Sequence, residues 1–155
     1  MTEELPTQLK RWAEAEGALR SRLGWNNRNN LTAHLAELLA QRALSLTPAP
    51  TNVKAYDCFD PATQKKVQVK GVRPTETNKS RQLSALRSWE FDDLVVVVFS
   101  SDYTVFRAAR IAAEKARLKA RRSEHVRGDI LRANDDFLSL GKDVTLAFQQ
   151  AWQEL

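Results

Sequence analysis

Apolar residues recur every three or four positions near the start of the chain: Leu5, Leu9, Trp12, Leu19 and Leu23, with Glu16 at one interrupted place. That spacing predicts a helix over 2–23, started near Pro6 and stopped at Gly24. Its stripe suits the body of the protein or a partner chain, with core packing the default use. Gly24 to Asn30 is a polar connector whose Asn residues favour turns and an N-cap. The helical pattern resumes from Leu31 to Leu44. Leu31, Leu35 and Leu38 form a stripe there, and Ala36, Leu39, Ala40 and Ala43 widen it, so this second helix is expected to be well buried.

After Pro48 and Pro50 the period changes to two. Runs rich in β-branched and aromatic residues flank Asp60-Pro61-Ala62-Thr63, a turn sequence, and together they read as a hairpin over Tyr56 to Arg73. With the turn centred between Ala62 and Thr63, Asp57 faces Gln68 and Ala55 faces Lys70. Asp57, Gln68 and Lys70 then share one face, while Tyr56, Cys58, Val67 and Val69 take the core face. Pro74 to Ser80 reads as a loop, and Ser80 to Ser88 as a short capped helix with Leu83 and Leu86 inward. Leu94 to Phe99 is apolar on both faces, as expected of a mid-sheet strand covered on each side by helices. Tyr103 to Ile111 is its antiparallel partner, 112–122 a basic helix, and Asp129 to Arg132 a short strand. The remainder ends in a helix with Val144, Phe148, Ala151, Trp152 and Leu155 on one side, for packing or for a dimer contact.

These elements predict an α/β fold: a central mixed β-sheet of four or five strands flanked by helices. The 155 residues suit one domain, with an N-terminal helix at 1–24, a core at 27–134 and a C-terminal helix at 135–155. No apolar run reaches the roughly 18 residues of a membrane span, so no membrane partner is expected. One Cys and two His argue against a zinc site. The lone Cys58 and the polar, acidic start fit a reducing cytoplasm. The five Gly are scattered, which disfavours a phosphate-cradling glycine loop. Charge changes the picture more. The net is +5, and residues 65–127 hold 15 Lys and Arg against 7 Asp and Glu, while the rest holds 9 against 12. Clustered cations of this kind attract a polyanion.

A carboxylate (Asp57), an amide (Gln68) and an ammonium (Lys70) gathered on one hairpin face form a useful set. The two oxygen donors, with the carbonyl of Val69, suit a hard divalent cation. Lys70 can stabilise charge on a phosphate or orient a water. Asp57 followed by Gln68-x-Lys70 resembles the motif of the PD-(D/E)xK (restriction endonuclease-like) nuclease superfamily, in the Gln-x-Lys variant found in Mrr-like enzymes. The resemblance covers about residues 27–134. It departs from the family pattern in two places: no Pro precedes Asp57, and Gln68 stands for the usual acid, removing a negative charge.

The resemblance implies a restriction-endonuclease-like sheet and Mg²⁺-dependent hydrolysis of DNA, with Mn²⁺ an alternative ion, in a restriction or phage-defence role. Asp57, Gln68 and Val69 would hold the metal. Glu37, on the preceding helix, would be the accessory acid and supply the carboxylate that Gln68 lacks. Lys70 would be the catalytic lysine. Arg73, Lys79, Arg81 and Arg87 would hold the backbone, with Asn78 and Gln82 available for hydrogen bonds. Cutting both strands would favour a homodimer. Two rival readings stand beside this one: a non-cleaving DNA-binding module on the same fold, and a protein-interaction module using its terminal helices.

Overall fold

The computed structural model describes residues 2–26 and 29–155. Positions 27 and 28 of the predicted connector lie outside them. The first helix, α1, spans Leu5–Leu23, three residues shorter at its start than its pattern predicts, because Pro6 fixes the first turn; Gly24 closes it in the left-handed conformation. The default of core packing fails: no residue of α1 is buried, and its stripe faces solvent. Helix α2 spans Leu31–Leu44 and is capped by Asn30, whose side chain accepts from Ala33 N–H.

The strands are β1 (Thr47–Pro48), β2 (Cys58–Asp60), β3 (Lys65–Val72), β4 (Asp93–Phe99) and β5 (Val105–Ala112), followed by a short helix α3 (Ala113–Arg117). Strands β6 (Arg121–Ser123) and β7 (Gly128–Ile130) form a separate hairpin, before α4 (Asp135–Leu138), β8 (Lys142–Asp143) and α5 (Thr145–Gln153). The class is the α/β one that the pattern predicts. The central sheet has six strands rather than four or five, in the order β1-β2-β3-β4-β5-β8. The two extra members, β1 and β8, are two-residue edge pairings too brief to leave a periodic signal. Strands β3 and β4 run parallel; the other pairs of this sheet are antiparallel.

The hairpin register is the expected one: Cys58 pairs with Val67, Phe59 with Lys66 and Asp60 with Lys65. Strand β4 is buried along its whole length and divides the interior into two cores. On one side Val95, Val97 and Phe99 join Cys58, Val67 and Val69 beneath α2 and α5, with Leu39 and Phe148 fully buried. On the other, Leu94, Val96 and Val98 meet Leu83, Leu86, Phe91, Leu131 and Phe137. Tyr56 packs against this second core, not with Cys58 as expected, because the chain leaves the β2 ladder before it.

Two predicted helices do not form as such. Residues 80–88 run extended, held by bridges Gln82↔Arg132 and Leu86↔Asp129, although Leu83 and Leu86 do point inward. The basic segment 112–122 is helical only over five residues, and Arg121 and Arg122 belong to the β6–β7 hairpin. Strand pairing outweighs helix propensity in both places, with a partner far along the chain in the first and across a local hairpin in the second. The short strand after it is Gly128–Ile130 rather than 129–132, and Tyr103 lies in the turn that precedes β5. Residues after 134 are woven into the body: β8 pairs with β5, and Phe148 and Ala151 of α5 complete the first core. Near one end of the sheet Arg110 donates to Asp93 Oδ2 (2.7 Å) and Asp60 Oδ2 (2.9 Å), so both buried carboxylates are paired.

Candidate active site

Strand β2 begins at Cys58, so β3 runs on past it with a free edge from Gln68 onward. Asp57 closes the gap. Its N–H donates to the Val67 carbonyl (3.0 Å), and its Oδ2 accepts from Val69 N–H (2.8 Å). The carboxylate thus stands where the next backbone carbonyl of β2 would be. One oxygen is committed to the strand, and the other accepts no hydrogen bond from the described residues. The carbonyl of Val69 points to the same side as its N–H, toward Asp57.

Helix α2 lies across this edge. Ala36 packs so closely that a Cβ on Gly71 would sit 2.9 Å from its own. One residue on, Glu37 enters a cavity of about 520 Å³ that Asp57, Gln68, Val69, Lys70, Arg73 and Ser84 also line. The structure therefore gathers Glu37, Asp57, Gln68, Val69 and Lys70 from three elements into one space. Lys70 Nζ donates to Ser84 Oγ (2.8 Å). Asn29 approaches Glu37 Oε1 at 3.5 Å, too long for a strong hydrogen bond. Arg73 sits at the mouth, donating to the Ser101 carbonyl (2.7 Å) and stacked 4.2 Å from the Tyr103 ring centre.

Burial dominates the electrostatics. It pushes Glu37 from its ordinary 4.5 up to about 7; the charge of Asp57 adds to the rise, and Lys70 pulls against it. Burial also raises Asp57, although the Val69 N–H and Lys70 favour its charged form. Lys70 is lowered, by burial first; Asp57 and Glu37 oppose this, and Arg87 adds to it. These are close, desolvated, mutually sensing charges, as catalytic groups need to be.

The predicted backbone-holding residues scatter. Arg73 alone among them lines the cavity. Arg87 is close enough to bear on Lys70 but borders a neighbouring cleft with Arg117, Arg122 and Asp129. Asn78 is used in its own turn, where its Oδ1 accepts from Ser80 N–H. Lys79 is exposed. Arg81 is engaged with the Ala133 carbonyl (3.4 Å) and Asp135 (3.3 Å). Gln82 opens onto a larger cavity, about 720 Å³, lined also by Lys119, Arg121, Arg122, His125 and Arg132.

Sequence reasoning passes over Ser84, the hydroxyl on Lys70, because its segment reads as a helix and only the bridges to Asp129 and Arg132 lay it beside β3. It also gives the cleft around Arg121 and Arg132 no shape, since those residues meet only through tertiary pairing. Neither a protein-family model nor a curated protein sequence matches the chain. Among the described residues no helix is long and apolar enough to cross a membrane.

Proposed function

We propose that this protein is a metal-dependent deoxyribonuclease acting at the Asp57–Glu37–Lys70 cavity. The observation that carries the reading is the convergence of Glu37 with Asp57 and Lys70 at the open edge of β3. A helix acid, a carboxylate just before β2 and a lysine of β3 meet there from separate parts of the chain.

The donor set fits Mg²⁺ or Mn²⁺. Asp57 has an uncommitted carboxylate oxygen, Glu37 brings a second carboxylate, and the Gln68 amide and Val69 carbonyl are oxygen donors of the kind hard cations take. Two carboxyls raised by burial, Glu37 also by the charge of Asp57, gain stability when a cation joins them. Such an ion would supply a more acidic water and neutralise charge on a phosphodiester oxygen. The chain's own groups supply the rest. Lys70, fixed by Ser84, places its ammonium where negative charge grows on the phosphate. Glu37, beside Asp57, would hold the ion on the helix side of the cavity and so set where its bound water stands. Arg73 waits at the mouth for the adjoining phosphate. The same arrangement suits a restriction or phage-defence enzyme, and cleavage of both strands would engage two copies.

Gln68 favours a second reading, DNA binding without cleavage. A neutral amide stands where a third negative oxygen would strengthen metal binding, and among the described residues no three His, Cys, Asp or Glu gather around one point. One experiment separates the two. Supercoiled and linear DNA are incubated with the protein in Mg²⁺, Mn²⁺ or EDTA, beside Asp57→Ala and Lys70→Ala. The nuclease reading expects metal-dependent cutting that falls by roughly 10²-fold or more in each variant, the scale of removing an electrostatic stabiliser. Gel shifts without cutting under every metal would leave the binding module.

A further inference from the structure

Helix α1 exposes an apolar stripe: Leu5, Leu9, Trp12 and Leu19 are 64, 58, 65 and 41 % exposed. Helices in proteins draw most of their stability from packing an amphipathic face, yet α1 buries no residue and carries Gly17 within it. The stripe has the alternating four-and-three spacing of a coiled-coil seam, running Leu5, Leu9, Trp12, Glu16, Leu19, Leu23.

We propose that α1 pairs antiparallel with α1 of a second copy of this chain. The seam is self-complementary in that direction. Leu5 meets the partner's Leu23, Leu9 meets the partner's Leu19, and Trp12 meets the partner's Glu16, each layer occurring twice about the two-fold axis. The last pair is chemically matched. The Trp12 indole N–H has no acceptor among the described residues of its own chain, and the Glu16 carboxylate, steered by Arg20 at 3.1 Å, has a second oxygen to accept it. The positions flanking that bulky layer are Ala13 and Ala15, small enough to admit a Trp.

Charge selects the direction. The last turn of α1 is basic (Arg20, Arg22), and Glu3 and Glu4 precede the helix. An antiparallel pair sets each basic end beside an acidic one and opposes the two helix dipoles. A parallel pair in register would stack Glu16 on the partner's Glu16 and bring the basic ends together. The pairing stands whether or not the carboxylate cavity cuts DNA.

Sedimentation equilibrium on the full chain tests it, together with two single-cysteine variants under mild oxidation; Cys58 is buried and does not compete. Wild type is expected as a dimer, and Leu9→Glu/Leu19→Glu as a monomer whose body melts at the wild-type temperature. Ala15→Cys, beside the two-fold axis, is expected to form a covalent dimer. Leu5→Cys, at opposite ends of the pair, is not. A monomeric wild type, a dimer that survives both Glu substitutions, or crosslinking through Leu5→Cys in place of Ala15→Cys would each overturn the proposal.

Discussion

Glu37 holds its proton to about pH 7 because it is half-buried beside Asp57, and this ties the stability of the fold to pH. The unfolded carboxyl ionises near 4.5, so between that value and about 7 the native state carries the extra proton. Stability from this group is complete below 4.5 and drains as pH rises through about 7. In EDTA, thermal melts across that window are expected to show wild type losing about 1 kcal/mol, after allowance for water screening a half-exposed group. Glu37→Gln, which has no proton to lose, should not share that part of the loss. Added Mg²⁺ should restore wild type at the upper end and leave Asp57→Asn unmoved. Cys58 gives a second expectation at this scale. Burial, then the Asp57 and Glu37 charges, push its thiol up to about 12, so almost no thiolate exists near neutrality. Ellman's reagent should leave the folded protein unreacted and titrate one thiol after unfolding; prompt reaction of native protein would mean that the packing of α2 against β2 is open.

The approach of α2 to β3 sets the cavity's width, and Gly71 is the residue that permits it. A methyl there would sit 2.9 Å from Ala36 Cβ and 3.2 Å from the Thr32 carbonyl oxygen, the latter backbone that cannot turn aside. Gly71→Ala is therefore expected to cost about 1–3 kcal/mol, the usual penalty of overpacking, read as a lower melting temperature. It should also move Glu37 away from Asp57, lowering the pH at which the Glu37 effect on stability appears. A variant as stable as wild type would show that α2 shifts freely, and the cavity with it. At this scale the sequence is legible where local signals and pairing agree. The turn at Pro61 places Asp57 opposite Gln68 and fixes Lys70, and the buried run 94–99 declares itself by being apolar on both faces. It is not legible where partners are remote. Ser80 to Ser88 has the capping serine and inward leucines of a helix, but Leu131 and Asp129 accept its backbone hydrogen bonds and Asp129 and Ala133 donate others back, so it runs extended and delivers Ser84 to Lys70. Arg121 and Arg122, fit for a helix by propensity, pair instead with Ile130 and Asp129 in a local hairpin whose strands are too short to leave a periodic signal. In α1 the stripe is plain, but a period cannot say which surface will cover it.

That extended segment also joins the two features of the whole molecule that a long polyanion would meet. One of its sides carries Ser84 to Lys70 and the carboxylates; its bridge from Gln82 to Arg132 opens onto the cavity where Lys119, Arg121, Arg122 and Arg132 face the acid Asp136. If the proposed function holds, DNA lying across it would put one phosphate at Lys70 and Arg73 and further phosphates among the β6–β7 cations, within the basic stretch 65–127. Phosphate contacts of this kind add to affinity without reading sequence, and each releases counterions. Arg121→Glu/Arg132→Glu should therefore weaken binding to every duplex alike and flatten the plot of log affinity against log salt by about 2, close to one unit for each phosphate that is no longer neutralised. Arg81→Ala gives the contrast. Its guanidinium is already spent on the Ala133 carbonyl and Asp135, so its removal should lower the melting temperature while leaving the salt slope where it was. Fluorescence anisotropy over a salt series measures both. If the Arg81 variant loses slope and the hairpin variant keeps it, the DNA runs past the other side of the segment, and the large basic cavity serves some other anion.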